Sequence, residues 1–208
     1  MSVLVDRDIL EAMRDGVITV EPFDEASLGT NSYDVHLAPT LRTYKVEFES
    51  VVRPRDDGFY GSPPGITKTH KPLDVGKPRA TIDHSIGPEG FVLEPGELYL
   101  ASTVEYTESL NHVPILNGKS SLGRLGLSIH VTAGTGDVGF RNHWTMELFV
   151  VKPLRIYAGM AIGQLLWFSA SDEPLVPYTA KRDAKYNDRS ALPQASAMFR
   201  NFSTRKEV

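Results

Sequence analysis

The sequence predicts a mainly β protein, a distorted barrel or sandwich of jelly-roll type, opened by one short N-terminal helix. Three observations carry that prediction. Short segments rich in β-branched and aromatic residues recur along the chain, several of them alternating apolar with polar. Glycine and proline turns separate these segments. Helical periodicity is legible only at the start, and a run of short strands with few helices is the pattern of a barrel or sandwich.

The helix comes first. Asp6 is suited to cap it, Ile9, Leu10 and Met13 sit at helical spacing, and Gly16 can close it in a left-handed turn. Strands follow at VITVEPF (17–23), SYDVHLA (32–38) and LRTYKVEFE (41–49). Residues 53–90 then collect prolines and glycines, which predicts a long excursion with little regular structure, interrupted by a strand near 79–83. Such an insert is either disordered or an arm packed on a neighbouring subunit. From Gly90 the strands return, FVLE and ELYLAST flanking a Pro95-Gly96 turn. A short helical turn at SLGRLGL precedes strands at SIHVTA, WTMELFVV, LRIYAG and AIGQLLWF. No internal repeat is visible. The last glycine is Gly163, and residues 178–189 form a polar, basic-leaning tail followed by ALPQASAMF. One domain over 1–208 accommodates all of this, with the 53–90 insert and a C-terminal tail or lid over 178–208.

Bulk properties narrow the function. The 208 residues are 41% hydrophobic and 23% charged, ordinary for a globular chain. A formal net charge of −4 lacks the basic surplus of a nucleic-acid coat. No cysteine is present, which removes thiolate nucleophiles, disulfides and every cysteine-bearing zinc site. No apolar run approaches the ~18 residues of a membrane span, and the opening residues, acidic by Asp6 and without a long apolar run, predict no signal peptide. A cytoplasmic protein with no membrane or nucleic-acid partner is the expectation.

The chemistry concentrates between Asn117 and Phe168. Gly118, Lys119, Ser120, Ser121, Gly123 and Arg124 fall within seven residues, offering hydroxyls, unhindered amides and cations to anionic oxygens. The spacing is not that of a Walker A motif. Such a stretch is either a phosphate site or a polar turn capped by Ser120 and Ser121. Glu147 stands between Met146 and Leu148. It is placed on a solvated face by simple alternation, or buried for acid–base work. Asp137, in AGTGDVGF, is a turn aspartate of the kind that satisfies backbone donors. His130 reads as a structural hydrogen-bonder. The six histidines lack metal-binding spacings such as HxH or HExxH, so no metal held by protein side chains is expected. Lys181, Arg182, Lys185 and Arg189 form either a solvated basic face or a flap over phosphates. Phosphate donors beside two carboxylates together point to a nucleotide-processing enzyme.

The DRDI start, SYDVHL, PGELYLAST, GKSSLGRLGL, HVTAGTGDVGF, the MEL strand, GMAIGQL and the AKY of the tail stand in fixed order. Together they resemble one family, the dCTP deaminases of the trimeric dUTPase superfamily. The resemblance spans most of the chain. It implies a dUTPase-like barrel assembled as a homotrimer with active sites at subunit interfaces, and a reaction converting dCTP and water to dUTP and ammonia. Most nucleobase deaminases use zinc held by histidine and cysteine. The family resembled here uses a carboxylate, at the position of Glu147. Ser120 and Arg124 match residues that orient the attacking water, and Ala133 a residue whose carbonyl helps hold it. Lys119 and Ser121 match triphosphate contacts within the nucleotide-binding run that also includes Leu122 and Gly123. Asp137 matches the deoxyribose contact, Thr145 and Met146 flank the base, and Tyr178, Lys185 and Arg189 match residues closing over the triphosphate. Mg²⁺ would arrive on the nucleotide, without zinc, and dTTP would act as a feedback inhibitor.

Three departures from the family pattern stand out. Lys119 replaces the usual arginine, Arg189 replaces a usual glutamine, and no glycine follows Lys185-Tyr186. The TAG run ending at Gly134 resembles members that also cleave the triphosphate to dUMP and pyrophosphate, as does the short stretch from Glu147 to GMAIGQL. Thr135-Gly136, in place of an aromatic–isoleucine pair, does not. The resemblance favours two activities. Two alternatives remain: a plain dUTP pyrophosphatase, and a non-catalytic nucleotide-binding regulatory trimer. The first normally ends in a glycine-rich motif absent here. The second leaves Ser120, Arg124 and Glu147 without a purpose.

Overall fold

A computed structural model describes residues 2–53 and 65–203. The chain divides into two compact units, residues 1–43 with 83–195, and residues 44–82 with 196–208.

The larger unit begins with α1 (Asp6–Arg14). Its N-cap is Val5, so Asp6 is the first helical residue and not the cap expected from the sequence. Asp8 does the capping instead, its carboxylate accepting the Val5 amide at 3.1 Å. Acidic residues in a first turn also suit the helix dipole. Gly16 adopts φ +70°, as predicted for the closing turn. Ile9 and Ala12 are buried whereas Leu10 faces out, so the apolar stripe is narrower than the spacing suggested.

The main sheet is antiparallel, with β8 (His112–Gly118), β12 (Ala161–Ser169), β2 (Tyr33–Tyr44), β7 (Tyr99–Ser109), β10 (Arg141–Val150) and β9 (Leu127–Ser128) in that order. The strand β1 (Ile18–Glu21) also pairs with β7, and β5 (Thr81–Ser85) with β2. A further pair joins β6 (Phe91–Leu93) to β11 (Leu154–Ile156). The two strands expected over 32–49 are largely one. β2 runs through Pro39, with its register to β7 shifting between Leu37 and Leu41. Sheet curvature of this kind comes from such irregularities. Inward side chains close the core, and Tyr33, Leu37, Met146, Leu148, Leu165 and Trp167 are wholly buried.

β8 was not anticipated, because Pro114 interrupts its pattern. Proline is admissible there, since β8 is the edge of the sheet order and Pro114 carries no amide to leave unpaired. At the other end β9 is two residues long, shorter than the SIHVTA strand predicted.

In the smaller unit, β3 (Phe48–Arg53) and β4 (Gly65–His70) form a hairpin, registered from Phe48 opposite His70 to Arg53 opposite Gly65. The excursion predicted over 53–90 therefore carries more regular structure than expected. The β-branched run Ile66-Thr67 and Thr69 favours a strand despite its proline and glycine neighbours. The expected strand near 79–83 is β5. Residues 54–64 of that excursion, and 204–208 of the tail, lie outside the described residues.

Candidate active site

β8 ends at Gly118, and the chain turns at once into the single helical turn α2 (Ser120–Gly123). Lys119 is its N-cap, and the Lys119 carbonyl accepts the amides of Leu122 and Gly123, both at 3.0 Å. No side chain caps this turn. Ser120 and Ser121 are exposed first-turn residues and not caps, which leaves their hydroxyls to solvent or a ligand. Arg124 is likewise exposed. The Lys119 ammonium pairs with the carboxylate of Asp34 on β2. Gly126 ends the turn at φ +86°, where a Cβ would lie 2.3 Å from the Val151 side chain.

Glu147 obeys the alternation of β10. Met146 and Leu148 are wholly buried, and Glu147 emerges on the opposite face, half-buried. Its amide donates to the Ile129 carbonyl at 2.9 Å, and its Oε2 accepts the Val131 amide at 2.8 Å. Both open readings of this residue are thus partly met. Alternation turns it out of the core, and the 129–131 segment covers it. Met146, predicted to border the base, is wholly buried within the single chain.

Asp137 sits on a loop that covers the outer edge of β8. Leu116 donates to the Gly134 carbonyl at 2.7 Å, and Gly136 donates to the Pro114 carbonyl at 2.8 Å. A Cβ at Gly134 would lie 2.6 Å from the Leu116 carbonyl oxygen, so the approach of the two backbones requires glycine. Among the described residues the Asp137 side chain binds no backbone donor. Its Oδ2 accepts from the Lys181 ammonium at 2.8 Å, and that contact holds the Lys181 pKa above the usual lysine value.

The tail reaches the same loop. Tyr178 donates its amide to the Val138 carbonyl at 2.9 Å, and its ring lies 5.7 Å from that of Phe140. A cavity of about 290 Å³ opens there, lined among others by Thr135, Asp137, Tyr178 and Lys181. Further on, the tail is strapped across β7 and β10. Buried Asn142 donates to the Tyr186 carbonyl at 2.9 Å, Ser102 to the Ala191 carbonyl at 2.8 Å, and Gln194 donates its amide to the Thr145 hydroxyl at 3.0 Å. Arg189, at φ +50°, stacks its guanidinium 4.1 Å from the centre of the Tyr106 ring and donates to Glu21 at 3.0 Å. Lys185 is half-buried within this strap.

The predicted residues therefore gather in four places: the 119–124 turn, Glu147 beneath the 129–131 segment, Asp137 with Tyr178 at the cavity, and Thr145, Lys185 and Arg189 along the strap. Ala133, exposed, lies on the chain between the 129–131 segment and Asp137. No hydrogen bond or ion pair joins Glu147 to Ser120 or Arg124 among the described residues. Sequence reasoning missed Asp34, which sits 85 positions from the lysine it pairs. It also left open whether Lys181 was solvated, and a cation forty-four positions from Asp137 carries no local signal of their pairing.

The fold defines the class, a mainly β protein built on one long antiparallel sheet. A solved dCTP deaminase from Agrobacterium tumefaciens shares that architecture at a TM-score of 0.55 and 17% identity, over 81% of this chain and 48% of that one. The dCTP deaminase-like family model matches residues 3–170, and the chain belongs to that family. Two relatives, each named "dCTP deaminase, dUMP-forming", agree with the match. The protein from Clostridium acetobutylicum is 38% identical over 89% of this chain and 90% of its own length. The one from Leptospira biflexa serovar Patoc is 36% identical over 96% of this chain and 98% of its own.

Proposed function

We propose that this chain deaminates dCTP to dUTP and ammonia, then cleaves the triphosphate to dUMP and pyrophosphate. The observation that carries the reading is the Glu147 carboxylate, half-buried on the outward face of β10 and held at one oxygen by the Val131 amide at 2.8 Å. The second oxygen is left to take a proton from water.

The deamination then runs as general acid–base catalysis. Glu147 takes a proton as water oxygen bonds to cytosine C4, and returns it to the ring nitrogen. A second transfer to the exocyclic amine lets the C4–N bond break and ammonia leave. Ser120, Arg124 and the Ala133 carbonyl orient the water and stabilise the tetrahedral carbon. Thr145 and Met146 flank the base.

Lys119, Ser121 and the amides of Leu122 and Gly123 bind the triphosphate, which brings its own Mg²⁺. The exposed, uncapped hydroxyls of the 120–121 turn support that role. Asp137 accepts the deoxyribose 3′-hydroxyl and stands near a second water. That water attacks the α-phosphorus, and the bond to the bridging oxygen breaks, releasing pyrophosphate. The names of the two relatives support this second step, as does the close approach that reserves position 134 for glycine.

Among the described residues no hydrogen bond or ion pair joins Glu147 to Ser120 or Arg124, and sites completed between the copies of a homotrimer accommodate that separation. Tyr178 borders the phosphates from the root of the tail, and Lys185 and Arg189 close over them after the tail beyond Lys181 shifts. dTTP, sharing the sugar and triphosphate, competes for the same site.

The test is incubation of the purified protein with dCTP and Mg²⁺, with products separated by ion exchange and E147Q run alongside. Direct appearance of dUMP and pyrophosphate supports both steps. Accumulating dUTP removes the second, and unchanged dCTP overturns the assignment.

A further inference from the structure

We propose that Lys181 is a positioning residue for sugar recognition, its ammonium fixing one oxygen of the Asp137 carboxylate so that the other is presented to the nucleotide's 3′-hydroxyl. The inference rests on the reading of Asp137 as the deoxyribose contact, and adds to it a residue that this reading does not use.

An exposed lysine–carboxylate pair is ordinarily of little consequence, because two long side chains must be ordered to make it. This pair differs in how its ends are held. Asp137 lies on the loop clamped to β8 by the Leu116–Gly134 and Gly136–Pro114 hydrogen bonds, at 2.7 and 2.8 Å. Its own carbonyl accepts the Phe140 amide at 3.0 Å, which closes the turn. Lys181 lies at the root of the tail, where Tyr178 donates to the Val138 carbonyl and the Tyr178 and Phe140 rings meet. Gly139, at φ +84°, lets the two backbones come together. A Cβ there would lie 3.0 Å from the Pro177 side chain and 3.1 Å from the Tyr178 nitrogen. Lys181 amide donation to the Tyr178 carbonyl, at 3.2 Å, fixes the last step of the path.

Both members of the pair line the 290 Å³ cavity, together with apolar Val113, Val138 and Val176. That volume lies at the small end of ligand pockets and suits part of a nucleotide such as its sugar. Lys181 holds Oδ2 at 2.8 Å, and Oδ1 has no partner among the described residues. A carboxylate with one oxygen fixed cannot rotate freely, so its second oxygen is pre-aimed, and pre-organisation lowers the cost of binding. The arrangement therefore reads the presence of a 3′-hydroxyl through a residue that need not touch the nucleotide.

The experiment compares kcat and KM for dCTP and 2′,3′-dideoxy-CTP on the full-length protein, with K181M, K181R and D137N, each first checked for an unchanged melting temperature. A hydrogen bond to a charged acceptor predicts that the native protein prefers dCTP by roughly 10- to 100-fold in kcat/KM. K181M is expected to lower that preference several-fold through KM, with kcat for dCTP within about twofold, and K181R to restore it. If K181M keeps the native preference while D137N loses it, Lys181 is a surface pair and the proposal fails, with the Asp137 reading intact. If D137N also keeps the preference, the sugar contact itself is misassigned and the proposal falls with it.

Discussion

The Val131 amide donates to Glu147 Oε2 at 2.8 Å, so the segment following β9 holds the carboxylate that β10 turns outward. A glutamine at 147 can accept the same amide through its side-chain oxygen, but cannot take a proton from water. E147Q should therefore fold with an unchanged melting temperature and bind dCTP with affinity within a few-fold of native. Its turnover should fall by about 10²- to 10⁴-fold, the usual contribution of a general base. Isothermal titration with dCTP alongside ammonia release checks both halves. Native-like turnover would remove Glu147 from the chemistry.

Gly134 faces the Leu116 carbonyl so closely that a Cβ would sit 2.6 Å from the oxygen. Backbone cannot give way as a flexible side chain can, so G134A must displace the loop and weaken the Leu116–Gly134 hydrogen bond. A loss of about 1–3 kcal/mol is expected, in the range for a disrupted buried backbone contact. Asp137 rides on the displaced loop, so dUTP should appear where the native protein yields dUMP. Chemical denaturation and product analysis of one preparation test the two consequences together.

Much of this was legible in the sequence, and the exceptions have physical reasons. The mainly β class, the N-terminal helix, Gly16 as its end and the turn at 120–123 all follow from local pattern. Val5 as cap was not legible, because the capping carboxylate is contributed by Asp8 from inside the helix. β8 was hidden by Pro114, whose acceptability depends on an edge position that only the sheet order reveals. Among the candidate site residues, Lys119, Ser120, Arg124, Asp137 and Glu147 stand out by residue type and neighbours. The partners that hold them, Asp34 for Lys119 and Lys181 for Asp137, come from distant strands and tail. Pairings of that kind exist only once the chain is folded.

Asn142 is almost wholly buried, and its side-chain nitrogen donates to the Tyr186 carbonyl at 2.9 Å while its oxygen accepts the His143 amide at 2.9 Å. N142A leaves both backbone groups without that partner, a cost of about 1–3 kcal/mol each before relaxation. It also releases the tail from β10. We expect a lower melting temperature and faster amide exchange over residues 186–194, with the β2 and β12 amides unchanged. Uniform acceleration across the sheet would instead mean that Asn142 supports the barrel and not the strap.

His112 opens β8 with its Nδ1 buried and, among the described residues, without a hydrogen-bond partner, and burial pushes its pKa below the ordinary histidine value. The unfolded chain, with a pKa of about 6.5, takes up a proton that the folded chain resists. Below that pH the unfolded state binds more protons, so stability falls as pH falls. The contribution is complete above about pH 6.5 and is lost on acidification through the lowered folded-state value. H112F cannot titrate. Denaturant midpoints of the native protein should drop between pH 7 and 5 by more than those of H112F, narrowing the difference between them or reversing it. Parallel pH dependence in the two proteins would assign the acid sensitivity to other groups, with the Asp83 carboxylate, held below its usual range by Arg42, the next to be tested.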